Sequence, residues 1–91
     1  MKLIKPITSI FPEIINCFTP DTLIEFYQCP YEDLNRYHVG LGTIIRNRFL
    51  DTGELSDIFK SCGIVSKDDM SDLIIKMLYI WLHENHSLDK R

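Results

Sequence analysis

Two glycines one residue apart lie between a histidine and an Arg-Asn pair in YHVGLGTIIRNRF, Tyr37 to Phe49. Those residue types suit three chemistries. Glycines let a backbone approach a phosphate, histidine exchanges protons near neutral pH, and arginine grips an anion through a forked pair of donors. The spacing narrows the choice. A dinucleotide loop needs a preceding strand, a third glycine and a helix behind it. Here Gly42 is followed by Thr43, Ile44 and Ile45, and the preceding PYEDLNRY is polar and opens with a proline. No Walker-type Lys-Ser or Lys-Thr follows. These features argue against nucleotide binding.

On a helix, His38, Gly42 and Arg46 fall on consecutive turns, and Gly40 and Asn47 share another face. Each glycine costs a helix roughly 0.5–1 kcal/mol relative to alanine. Close approach of a second helix backbone would offset that cost. The expected feature is a shallow groove floored by Gly40 and Gly42 and edged by His38, Arg46 and Asn47. Its primary role is read as structural: Arg46 pairs with Asp33 or Asp69, and His38 donates to a backbone carbonyl. The alternative, from another class, is a small-ligand or catalytic site in which His38 and Arg46 hold an anion.

Other chemistry is thin. The histidines are His38, His83 and His86, and no Gly-x-Ser-x-Gly or Cys-His pairing accompanies them. His83 and His86 offer two imidazoles where zinc takes three or four ligands, so they are read as a solvated helix end. Asp68, Asp69 and Asp72 form a carboxylate group, but negative charge in the first turns of a helix explains them as caps. Cys17, Cys29 and Cys62 give neither a disulfide framework nor a zinc pattern and are read as packed, reduced thiols. No catalytic residue, cofactor or metal is expected, and the chain is read as a non-enzyme.

The elements that must carry these residues fit in one domain of 91 residues. Apolar residues at 45% and charged residues at 25% are ordinary globular values. Net charge is −3, with three basic and five acidic residues in 1–45 and seven and eight in 46–91. That is no basic footprint for nucleic acid, and Arg46, Arg48 and Lys60 are too few to hold a phosphate backbone. The longest apolar run, Leu73 to Leu82, is half the length that a bilayer core requires. The expectation is a soluble, cytoplasmic protein with no nucleic-acid or membrane partner.

Punctuation along the chain predicts an all-α bundle of five to six short helices. Pro12 opens one through about Phe18, with Ile14, Ile15 and Phe18 inward. Thr19 and Pro20 are N-cap and first residue of the next, which stops before Pro30. PYEDLNRYH is a short turn or helix. Leu41, Ile44, Ile45 and Phe49 then mark an amphipathic helix ending at Gly53. Leu55, Ile58, Phe59 and Cys62 face inward on the next, closed by Gly63. Ser66 caps the last helix, with Asp69 in capping-box position. That helix is longest and apolar nearly all round, so it is expected to be largely buried, or shared with a second copy through Ile75, Tyr79 and Ile80.

The stretches PYEDLNRYHVGLGTIIRNRF and LSDIFKSCGIVSKDDMSDLII resemble a family of small bacterial domains of unknown function. Its pattern is H-x-G-L-G-x-x-I-R-N, a short helix, then D-D-[AM]-S into a final helix ending near a tryptophan. The resemblance covers about Pro30 to Leu82, and residues 12–29 supply the N-terminal helices. His38, Gly40, Leu41, Gly42, Ile45, Arg46, Asn47, Asp68, Asp69 and Ser71 stand at motif positions. RFLDTGEL departs from the Gly-Leu-Trp that often follows Arg-Asn in members of that family. The resemblance implies a helical partition and no chemistry. The functional expectation is a non-catalytic protein-protein interaction module, most concretely an immunity or antitoxin-type protein. It would neutralise a basic, toxin-like partner with an acidic edge of Glu32, Asp33, Asp51, Glu54 and Asp57.

Overall fold

Short caps and prolines set the starts of the helices. A computed structural model describes residues 4–51 and 54–85, and these residues contain six α-helices and no strand. They are α1 (Ile4–Thr8), α2 (Phe11–Ile15), α3 (Pro20–Gln28), α4 (Gly40–Ile45), α5 (Glu54–Ser61) and α6 (Lys67–Asn85). A 3₁₀ helix spans Tyr31–Tyr37, and a π segment, Arg46–Leu50, continues α4.

The caps are chemical. Thr19 and Thr22 bond reciprocally: Thr19 Oγ1 accepts from the Thr22 amide at 3.2 Å, and Thr22 Oγ1 accepts from the Thr19 amide at 2.9 Å. Threonine thus does the work usually given to Glu or Gln at that position. Gly63 takes φ +91°, and α5 closes behind it with the Gly63 amide on the Lys60 carbonyl and the Ile64 amide on the Phe59 carbonyl, both at 3.0 Å. That is the Schellman pattern, in which a left-handed residue satisfies the last carbonyls. Ser66 Oγ accepts from the Asp69 amide at 3.5 Å and starts α6. The predicted stop at Gly53 lies outside the described residues.

α6 occupies the middle of the fold. Met70, Ser71, Ile74, Ile75, Leu78 and Leu82 are buried along it. Packed against them are Phe11 and Ile14 of α2, Phe26 of α3, Leu34 of the 3₁₀ helix, Ile45 of α4, Leu50, and Phe59 of α5. A helix apolar on most sides is stable only when neighbours surround it, which is the arrangement found.

The structure corrects several expectations. α1 precedes the first helix read from the sequence and buries Ile7 completely. Pro6 is tolerated there because amides in a first helical turn have no carbonyl to reach. The α4 stripe runs Leu41, Ile45, Leu50, with Phe49 half-buried and Ile44 exposed. A π turn bonds i to i+5, so it brings Leu50 and not Phe49 beneath Ile45. On α5, Phe59 is buried and Leu55 and Ile58 are partly so, but Cys62 is exposed. It sits where the chain turns off the helix end. Of the three free thiols only Cys29 is buried. On α6, Ile75 is 2% exposed, and the Tyr79 hydroxyl donates to the Cys29 carbonyl at 2.5 Å. Ile75 belongs to the interior and Tyr79 is half-buried, and of the three proposed for a shared face only Ile80 is exposed.

Candidate functional site

The polar motif residues meet where α4 crosses the first two turns of α6. Arg46 is the hub. Its Nη1 donates to Ser71 Oγ at 3.0 Å, its Nη2 donates to Thr43 Oγ1 at 2.9 Å, and Nη1 lies 3.5 Å from Asp68 Oδ1. Ser71 is fully buried and donates onward to the Asp68 carbonyl at 3.0 Å. Only arginine offers several donors in a fixed fork, so one side chain ties three groups on two helices.

Gly42 makes room for this. It is buried, and a Cβ there would stand 3.0 Å from Arg46 Nη1, 3.6 Å from Ser71 Oγ and 3.7 Å from the Tyr37 carbonyl oxygen. The absent side chain therefore opens the path of the guanidinium as well as the approach of α6. Gly40 differs. It is exposed, with nothing within 4 Å of such a Cβ, so it does not join Gly42 in flooring a groove between helices. Asn47 is exposed as well.

His38 enters from the end of the 3₁₀ helix. Its Nδ1 lies 3.1 Å from Asp72 Oδ1, and its Nε2 lies 4.0 Å from Asp68 Oδ1. An ionised carboxylate only accepts, so Nδ1 carries the proton toward Asp72. The expected partners are thereby corrected. Arg46 pairs with Asp68 instead of Asp33 or Asp69, because Asp68 and Asp69 diverge by about 100° around the helix and only the former faces α4. His38 pairs with a carboxylate instead of a backbone carbonyl. The side chains of Asp68 and Asp72 are 66% and 42% exposed, so the clamp is walled by Ser71 inside and open to water outside.

The cluster holds pieces of a catalytic vocabulary without its grammar. A His-Asp pair orients an imidazole, but the second ring nitrogen faces another carboxylate where a nucleophile would have to stand. The buried Ser71 hydroxyl accepts from Arg46 and donates to the Asp68 carbonyl. Two carboxylates beside one guanidinium also make a poor seat for an anion. Among the described residues no group of three or more His, Cys, Asp or Glu is placed to hold a metal. His83 stacks on Tyr27, with ring centroids 4.0 Å apart and planes 2° apart, and donates Nδ1–H to the Tyr79 carbonyl at 2.8 Å. His86 lies outside the described residues.

The acidic candidates separate. Glu32, Asp33, Asp51, Glu54 and Asp57 are all exposed. Asp51 is bound by Lys67 at 3.1 Å. Glu54 borders a hollow beside Arg48 and Phe49. Glu32 instead borders a hollow of ≈200 Å³ with Tyr31, Asp72 and Lys76. A second hollow shares Asp72 and Lys76 and adds Asp69. The carboxylates that the fold gathers are thus Glu32, Asp69 and Asp72 around the start of α6, a grouping of residues far apart in sequence.

A model for a domain of unknown function, DUF6794, matches residues 5–82. The chain belongs to the DUF6794 family. No curated protein and no solved structure matches it. The DUF6794 match starts inside α1 and ends at Leu82, so the family domain takes in α1, α2 and α3 along with the stretch from Pro30 onward. Both sides of the Arg46 clamp lie within it, as does α6 as far as Leu82. No helix of the described residues is long and apolar enough to cross a membrane.

Proposed function

We propose that this DUF6794 domain is a non-catalytic interaction module that binds a basic protein partner, in its most concrete form as a cytoplasmic, bacterial immunity or antitoxin-type protein. The observation that supports this is the surface around the 3₁₀ helix and the first half of α6. Tyr31 is 47% exposed there, beside Glu32 and Asp72 in one hollow, with Asp69 in the next. An aromatic anchor beside three carboxylates, which outnumber the single Lys76 that borders both hollows, suits a lysine or arginine side chain. The clamp residues serve this reading indirectly, by fixing the start of α6 so that the carboxylates hold their places.

Tagged protein captured from its native host tests the reading. A basic protein should co-purify and release at raised salt, because opposite charges steer the encounter. Glu32→Lys and Tyr31→Ala, both at exposed positions, should abolish capture with the fold intact by circular dichroism. Capture of no basic protein, or undiminished capture by both variants, would end the proposal.

A further inference from the structure

Lys76, Ile80 and Glu84 follow one another at intervals of four residues on α6, and all three are exposed. Ile80 is 46% exposed. Beside it an apolar cleft of ≈330 Å³ is lined by Thr8, Phe11, Met77 and Trp81, with Glu84 as its charged member. Trp81 is held against Phe11 at a ring-centroid distance of 5.3 Å, so one wall of the cleft is rigid. A large aliphatic group at the surface, next to an aromatic-walled cleft and between a cation and an anion, has the makings of a contact face.

The order of charges identifies what the face fits. Four residues advance an α-helix by about 6 Å, so Lys76 and Glu84 stand about 6 Å to either side of Ile80. A two-fold axis through Ile80 lays a second α6 antiparallel to the first. Lys76 of each copy then meets Glu84 of the other, and Ile80 meets Ile80. Residue i touching j while j touches i is the defining property of an isologous contact. A parallel alignment would bring lysine to lysine and glutamate to glutamate.

We propose that this face is a self-complementary interface whose occupant is a second copy of the chain, with α6 antiparallel to α6 across Ile80. It lies away from Ile75, which the core claims, and it meets the hollow of Tyr31, Glu32 and Asp72 at one edge, where Lys76 borders both.

Sedimentation velocity of the whole chain over a wide concentration series tests it. The mass should rise from one chain to two. Ile80→Glu should remain monomeric throughout with an unchanged helical spectrum. Lys76→Glu and Glu84→Lys should each raise the dissociation constant several-fold, since each sets like charges face to face, and the double variant should restore it. A wild-type chain that stays single at every concentration overturns the proposal, as does a dimer indifferent to Ile80→Glu. A double variant no tighter than either single one overturns the antiparallel register.

Discussion

Arg46 reaches Ser71 over Gly42: a Cβ on the glycine would stand 3.0 Å from the very nitrogen that donates to the serine. The two positions should therefore be energetically coupled. Gly42→Ala alone should not deliver the usual helix-propensity gain of roughly 0.5–1 kcal/mol, because the methyl crowds the guanidinium. In an Arg46→Ala background the same change should deliver it, since the remaining neighbours are at ordinary contact distance. Gly40→Ala, with open space around it, should be stabilising in either background. Urea unfolding of this cycle decides the matter, and simple additivity would refute the coupling.

Arg46→Ala should lower stability by about 1–3 kcal/mol, the range for a charged hydrogen bond whose partner is buried. Arg46→Lys should behave more like the alanine variant than like wild type. A lysine is a point charge on a flexible stem and cannot reach Ser71, Thr43 and Asp68 together. Melting temperatures of the two variants should fall close to each other.

The π turn makes a prediction that runs against side-chain size. Leu50→Ala should cost about 2–5 kcal/mol, as for any well-packed leucine. Phe49→Ala should cost less, although phenylalanine is larger, because Phe49 is only partly covered. The reverse order in chemical denaturation would mean that the helix continues in α register past Ile45.

Burial, then the nearby Cys29, Glu32 and Tyr27, raise the pKa of Tyr79 above its ordinary 10.0. Burial, with Cys29 and Glu25, does the same for Tyr37. The fold thus holds both phenols neutral. A group whose pKa is raised on folding contributes stability that is complete below the unfolded value and is lost as pH climbs through the folded one. The unfolding free energy contributed by these groups should be level below about pH 10 and decline above it. Tyr79→Phe should cost about 1 kcal/mol at neutral pH through the lost bond to Cys29, and should make the alkaline decline shallower. A steeper decline in that variant would contradict the assignment.

Much of this architecture is readable in the residues, and what is not has identifiable causes. Thr19-Pro20, Ser66 and Gly63 announce their roles because capping is local chemistry within four residues. α1 gives no such signal: it is five residues long with a proline inside, and so short a helix owes its existence to tertiary packing of Ile7. The change of stripe from Phe49 to Leu50 is hidden because an apolar pattern of period 3.6 does not reveal one inserted residue. At the site, the spacing of four sets Gly42 beneath Arg46, while His38 comes in from the end of the 3₁₀ helix and shares Asp68 with the arginine. Asp68 against Asp69, and Asp72 as the partner of His38, depend on the rotation of α6 about its axis, which no local pattern encodes. Nor does one-dimensional order show that Glu32 and Asp72 border the same hollow.

The rod at the centre of this fold is also the last of the described segments to leave the ribosome. Every element that packs on α6 precedes it in the chain. At the usual 5–20 residues per second, its 19 residues take roughly one to four seconds to synthesise. Until then the nascent polypeptide has walls and no filling, with Phe11, Phe26 and Phe59 deprived of the surface they will cover. Assembly must wait until α6 itself has been made, so a message truncated ahead of that helix would yield a chaperone client in place of a smaller folded protein.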